Sequence, residues 1–151
     1  MRQLEHLEWP RESVLEMFRV LKPGGKIFIT VPMAQGEHQV PYDFFRYTSY
    51  GLKSILTHTG FSDVEIKPCG GFFTRWAYEL PKIISIFPST GLRKRDYNLL
   101  GIILLPFKIS LIPIVRSIQF IFIQMDKFDK DKNFPFGWTC EAIKPHKWEK
   151  S

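Results

Sequence analysis

Two histidines, an aspartate and an arginine are the side chains best suited to chemistry: His6, and then His38, Asp43 and Arg46 within one polar stretch. His38 and Asp43 have the residue types that orient a nucleophile or accept its proton. Arg46 carries a planar fork that matches a carboxylate or phosphate and so suits an anionic substrate. Tyr42 and Tyr47, with Phe44 and Phe45, supply aromatic walls for a pocket. His6 reads as a pocket wall or a base. Each has a plainer alternative. Asp43 can accept backbone amides or pair with Arg46, the aromatic rings can be ordinary packing, and His6 can simply fill a hydrogen bond.

The flanking elements are legible from periodicity. Pro10 sits where a helix starts, because its missing N–H is no loss there. Val14, Leu15, Phe18 and Leu21 then keep helical spacing. Lys22-Pro23-Gly24-Gly25 ends that helix and turns the chain. Residues 26–31 are β-rich and nearly all apolar, the pattern of a strand buried on both faces, and Pro32 closes it. The polar loop occupies residues 33–47. Thr48 is placed as an N-cap for a helix over residues 49–59, with Leu52, Ile55 and Leu56 inward and Gly60 as a left-handed stop. Residues 63–67 alternate as a half-exposed strand. Helix, strand, helix, strand predicts an α/β chain with at least one parallel pair.

Residues 70–125 differ in character. Tyr97 to Phe107 is uncharged and almost wholly apolar, Lys108 and Arg116 interrupt the apolar residues beyond it, and Pro106 and Pro113 are expected to kink any helix. No window reaches the roughly 18 clean apolar residues of a membrane span, so none is predicted. A helical insertion over 72–125 is expected, as a lid, as extra core-packing helices, or as a membrane-surface element rich in basic side chains. A charged, solvated connector comes next at 126–135. A final strand over 137–143 and a polar tail complete a single domain over 1–151.

Length, 151 residues, matches one ordinary domain, and 44% hydrophobic content suffices for a core. The net charge of +6 suits an anionic partner. Because Lys and Arg are dispersed, without a binding motif, nucleic acid is not expected. The two cysteines, Cys69 and Cys140, are too few for a disulfide scaffold and lack CxxC spacing. Reduced thiols in a cytoplasmic protein are expected, and no metal site is read. Met1 to Arg11 has charges and no apolar run, so it is not read as a secretory leader.

Three groups of residues, taken in order, resemble one family. Leu4-Glu5-His6-Leu7 with the later run Arg19-Val20-Leu21-Lys22-Pro23-Gly24-Gly25 is similar to the middle of the class I S-adenosylmethionine-dependent methyltransferases. It corresponds there to the end of the fourth strand, a helix, and the turn into the fifth strand. His38-x-x-Pro41-x-Asp43-Phe44-x-Arg46-Tyr47, then Gly51-Leu52 and Gly60-Phe61, resembles the next loop and helix in a subgroup of that family. Ala142-Ile143-Lys144-Pro145 resembles its closing strand. The match covers residues 4–68 and 136–145 and is poor over 70–135.

The resemblance implies a partial Rossmann-like sheet of parallel strands plus an antiparallel final strand, with 137–143 lying between 26–31 and 62–67. It brings Cys140 near Cys69. It implies methyl transfer from S-adenosylmethionine to a small-molecule or lipid-linked acceptor. In that reading His6 borders the cofactor, His38 and Asp43 join it as catalytic candidates, and Tyr42, Arg46 and Tyr47 meet the substrate. The family's Gly-rich turn and ribose-binding acid precede the fourth strand. Gly24-Gly25 is not that turn, because it precedes a strand instead of opening a helix. The chain alone is therefore expected to hold only part of the cofactor, and to associate with itself or with a missing N-terminal half. The alternative is a non-catalytic methyltransferase-like module that binds a partner or a membrane surface, cytoplasmic or peripheral to the membrane.

Overall fold

The computed structural model describes residues 4–90 and 98–146. Tyr97, at the head of the apolar run, and the end of the tail lie outside the described residues. The chain divides into two compact units, one formed by Met1–Gly70 with Phe134–Ser151, the other by Gly71–Asn133.

In the first unit Pro10 opens helix α1, Pro10–Val20, which turns Val14 and Phe18 inward. Leu15 is 45% exposed, so the buried stripe is narrower than the apolar spacing implies. Helix α2, Ser49–Thr59, starts at Thr48, whose hydroxyl accepts the Gly51 N–H at 3.1 Å. It stops at Gly60, whose φ of +107° suits a residue with no side chain. Leu52 and Leu56 are fully buried, and the Phe18 and Phe61 rings meet edge to face at 4.9 Å.

Strands β1 (Lys26–Pro32), β2 (Ser62–Cys69) and β3 (Gly137–Ile143) form a sheet in the order β1-β3-β2. β3 is antiparallel to both neighbours, with Ile29 opposite Cys140 on one side and Ile66 opposite Cys140 on the other. The last strand thus lies where the resemblance puts it. The parallel pair expected from element order is not found among the described residues: β1 and β2 run the same way but are held apart by β3. Nor is β1 buried on both faces. Ile29 and Val31 are buried, while Phe28 on the opposite face is 55% exposed. Where the resemblance implies a strand end at Leu4–His6, the chain makes a 3-10 turn.

The cysteines are both free thiols. The register sets Cys69 opposite Gly137 and Cys140 opposite Ile66, and the Cys69 thiol instead faces the Thr139 hydroxyl at 2.7 Å. Burial, with help from Glu141, pushes the Cys140 thiol up to about 11, so it stays protonated at neutral pH. β3 must begin with glycine: a side-chain carbon at Gly137 would stand 2.4 Å from the Val31 carbonyl oxygen.

The second unit holds α3 (Phe72–Glu79), α4 (Lys82–Ile86), α5 (Leu99–Ile103) and α6 (Leu105–Met125), with α3 packed on α6. Pro106 falls in the first turn of α6 and Pro113 is carried inside it, so one 21-residue helix runs through both prolines. It is long and apolar enough to cross a membrane, with a mean hydropathy of 1.5 over its most apolar window and 6% of that window buried. The stretch after α6 is not simply solvated. Asp126 is 8% exposed and accepts the N–H groups of Gly71 and Thr74 at 3.0 and 2.8 Å, while Asp129 accepts that of Phe72 at 2.7 Å. These carboxylates satisfy the free amides at the start of α3.

One contact ties the ends of the first unit together. The Lys144 ammonium donates to the carbonyls of Phe18 and Leu21 at 2.7 and 2.8 Å, and more weakly to that of Arg19 at 3.3 Å. It thereby caps the C-terminus of α1 with a cation, as the helix dipole favours. Replacing Lys144 by Met keeps the stem and removes the donors. The expected loss is about 2 kcal/mol, the range for hydrogen bonds from charged groups, seen as a lower urea midpoint. An unchanged midpoint would mean that water serves those carbonyls equally well.

Candidate functional site

The polar loop after β1 folds back on the Leu4–His6 turn. The Glu5 carbonyl accepts the N–H groups of Phe44 and Phe45 at 2.9 and 3.3 Å. The Tyr47 N–H donates to the Pro32 carbonyl at 3.1 Å, and the Tyr47 hydroxyl donates to the Leu4 carbonyl at 3.2 Å. These bonds close the loop into a ring against the Leu4–His6 turn. They bring His38 to His6, whose rings meet edge to face with centroids 4.8 Å apart.

Inside the loop Asp43 and Arg46 are a scaffold. Arg46 donates from Nη1 and Nη2 to the two Asp43 oxygens at 2.7 Å each. Its nitrogens also reach the carbonyls of Gln35, Gly36 and Phe45. No nitrogen of the guanidinium is left to clamp a substrate. Asp43, with its side chain 3% exposed, further accepts the His38 N–H at 2.8 Å. Asp43 thus has both of its plainer contacts, the backbone amide and the ion pair. The Arg46 bonds, aided by the His38 amide and opposed by burial, hold the Asp43 carboxyl well below the usual carboxylate range. Tyr47 is 6% exposed, and burial plus the nearby Glu5 carboxylate push its hydroxyl up, so it is a neutral structural donor. Tyr42 projects outward, 66% exposed, and its carbonyl accepts the His6 Nδ1–H.

The groups with uncommitted atoms are therefore His6, His38 and a residue that spacing alone does not pick out, Glu5. Glu5 is 5% exposed, and its Oε2 has no hydrogen-bond partner. An acid beside a histidine between two leucines is the only sequence signal for it. Donor atoms of Glu5, His6 and His38 all lie within 4.8 Å of one another. Glu5 also lines a cavity of about 270 Å³ with Thr30, Val31, Pro32, Gln35, Cys69, Phe136 and Gly137. That cavity sits at the carboxyl ends of β1 and β2, where open α/β sheets bind ligands.

No family model and no curated protein matches the sequence. Solved structures do. Phosphoethanolamine N-methyltransferase 2 of Haemonchus contortus, in complex with S-adenosyl-L-methionine, is 19% identical with a TM-score of 0.47, the match covering 95% of this chain and 32% of that one. The same enzyme with phosphomonomethylethanolamine and S-adenosylhomocysteine is 16% identical with a TM-score of 0.44, at 95% and 32% coverage. The [4+2]-cyclase SpnF is 21% identical with a TM-score of 0.47, covering 96% of this chain and 47% of that one. The chain thus spans a third to a half of the lengths it matches. A fold does not name a reaction.

Asp43 makes the loop pH-dependent. Its carboxyl titrates lower in the folded chain than in the unfolded one, where it is near the usual ~3.9. The stability it contributes is full above pH ~4 and is lost as pH falls below that. Asp43→Asn should therefore be less stable than wild type at pH 7, with the gap closing toward pH 3 in denaturant midpoints. A gap independent of pH would mean that the charge does not hold the loop.

Proposed function

We propose that the chain forms the acceptor side of an S-adenosylmethionine-dependent methyltransferase acting on a small, hydrophobic or lipid-linked molecule. The observation that carries this is the cavity at the carboxyl ends of β1 and β2, lined by Glu5, whose carboxylate clusters with the imidazoles of His6 and His38. The run of motifs from Leu4 to Phe61 and the place of β3 in the sheet support it.

The residues present fit only part of the cofactor. At about 270 Å³ the cavity falls just short of the roughly 300–1,000 Å³ of pockets that enclose a whole ligand. The Gly24, Gly25 and Gly71 amides, which a glycine-rich cradle would aim at a ligand, are spent on Lys144, Lys22 and Asp126. When bound, S-adenosylmethionine supplies an electrophilic methyl group on a sulfonium. This chain's share is to orient the acceptor's nitrogen or oxygen toward the cavity, keep water out, and accept the acceptor's proton at an imidazole Nε2. The test is calorimetric titration of the 151-residue chain with S-adenosylmethionine. Saturable binding, weaker than a complete site would give and weakened about tenfold further by His6→Ala, roughly 1.4 kcal/mol, is expected. No saturable binding by a folded chain would overturn the contact between this chain and the cofactor on which the proposal rests.

A second reading concerns the helical unit. Phe107, Ile109, Ile114, Phe120, Ile121 and Ile123 of α6 are each at least half exposed. Its 21 residues give a rod of roughly 31 Å at 1.5 Å each. Arg116 lies near its middle, where a charge is costly inside a bilayer. An orientation along the interface, with basic side chains among anionic headgroups, is therefore favoured over a span. Co-sedimentation with phosphatidylserine-containing vesicles is expected, strongly reduced in neutral vesicles and by Ile114→Glu with Ile121→Glu. Binding unaltered by those substitutions would sink this reading.

A further inference from the structure

We propose that Glu5, His6 and His38 form a site for a first-row divalent transition metal ion, with the open coordination position available to an oxygen-bearing ligand. The site stands on its own geometry and holds whether or not the chain transfers a methyl group.

Two imidazoles and a carboxylate are the ligands of catalytic zinc sites and of open facial sites for other first-row metals. They disfavour magnesium and calcium, which prefer oxygen alone. The three donor atoms gather within 4.8 Å. Ligands about 2.1 Å from a tetrahedral ion lie roughly 3.4 Å apart, so side-chain rotation of about 1 Å completes the shell. The His6 Nε2 to Glu5 Oε1 separation, 3.7 Å, is already close to that.

The surroundings prepare both imidazoles. His6 donates Nδ1–H to the Tyr42 carbonyl. His38 Nδ1 lies 3.2 Å from the Gly36 carbonyl oxygen and 3.3 Å from Asp43 Oδ2, so it too carries the proton on Nδ1. Each ring therefore keeps the Nε2 lone pair free. Carbonyls and carboxylates fix metal-binding histidines in this way, from behind the ring. Asp43, held by Arg46, is then a positioning residue for His38.

Glu5 Oε2 points the same way. A carboxylate oxygen that is buried and has no partner is costly. A cation beside it removes that cost. Glu5 also lines the cavity at the sheet's end, which gives a ligand oxygen a route to the carboxylate. The same lone pairs cannot both bind a metal and take a proton, so with the ion in place the two imidazoles are ligands and not bases.

Zinc titration of the purified, chelator-treated chain tests this at pH 7.5, with cobalt as a spectroscopic probe. One zinc ion per chain is expected, and visible cobalt bands intense enough to mark four- or five-coordination. His38→Gln and Glu5→Gln should weaken zinc by more than about 100-fold, and Asp43→Asn by about 10-fold, as removal of an outer-shell partner does. His58→Ala, at an exposed histidine outside the cluster, should change nothing. Circular dichroism confirms that each variant folds. A weak, octahedral cobalt spectrum on the unaltered chain would overturn the site without recourse to any variant. Zinc binding lost with His58 and kept without His38 would overturn it equally. The readout is metal affinity and geometry, so a chain that binds zinc but not S-adenosylmethionine keeps this site and loses the cofactor contact of the proposed function.

Discussion

Strand β3 is the constraint on which the first unit depends. β1 and β2 are separated by 29 residues, from Met33 to Phe61, and they share no hydrogen bonds with each other in the ladder. Only residues 137–143, arriving from the far end of the chain, pair with both. A backbone amide or carbonyl left unpaired in a buried place is expensive, so neither strand has a reason to be flat and extended until β3 is in place. The glycine at its start lets β3 approach the Val31 carbonyl. Just past its end, Lys144 closes both the Gly24–Gly25 turn and the C-terminus of α1. One short segment therefore aligns the sheet and sets where β1 ends, which is where the polar loop begins.

The loop then turns that alignment into a site. Its shape does not come from regular secondary structure but from charge and carbonyl pairing: Asp43 with Arg46, Arg46 with three carbonyls, and the Glu5 carbonyl with two amides. These contacts consume the polar residues that look most chemical and leave two imidazoles and one carboxylate facing one another at the sheet's end. The division of labour is physical. A paired arginine in a crowded loop is a good post and a poor clamp, because its five donors are already directed.

The second unit obeys a different logic. Asp126 and Asp129 close the start of α3, which satisfies helix-end amides by a contact spanning more than fifty residues. Lys132 pairs with Asp126 at 2.9 Å. Burial raises the carboxyl's affinity for a proton, but the Lys132 and Thr74 bonds outweigh it and keep Asp126 ionised. That anchorage secures one end of α3, while α6 keeps most of its apolar surface outside any core.

Local features were readable from residue order. Pro10, Thr48, Gly60 and Pro32 act within a few residues of themselves, so the bounds of α1, α2 and β1 come from capping and backbone geometry alone. The order of the sheet was legible only through resemblance to a family, and the absence of a parallel pair among the described residues was not, because pairing between distant strands leaves no local mark. The roles of the loop residues were hidden for the same reason. Asp43 and Arg46 have the same identities whether they meet a substrate or each other, and only their 2.7 Å contact decides between the two. Glu5 reads as one more charged residue near the chain's start until folding buries it without a partner for Oε2. Sequence determined which elements form; the tertiary structure decided which polar atoms were left unspent, because desolvation and pairing depend on neighbours that the chain order does not reveal.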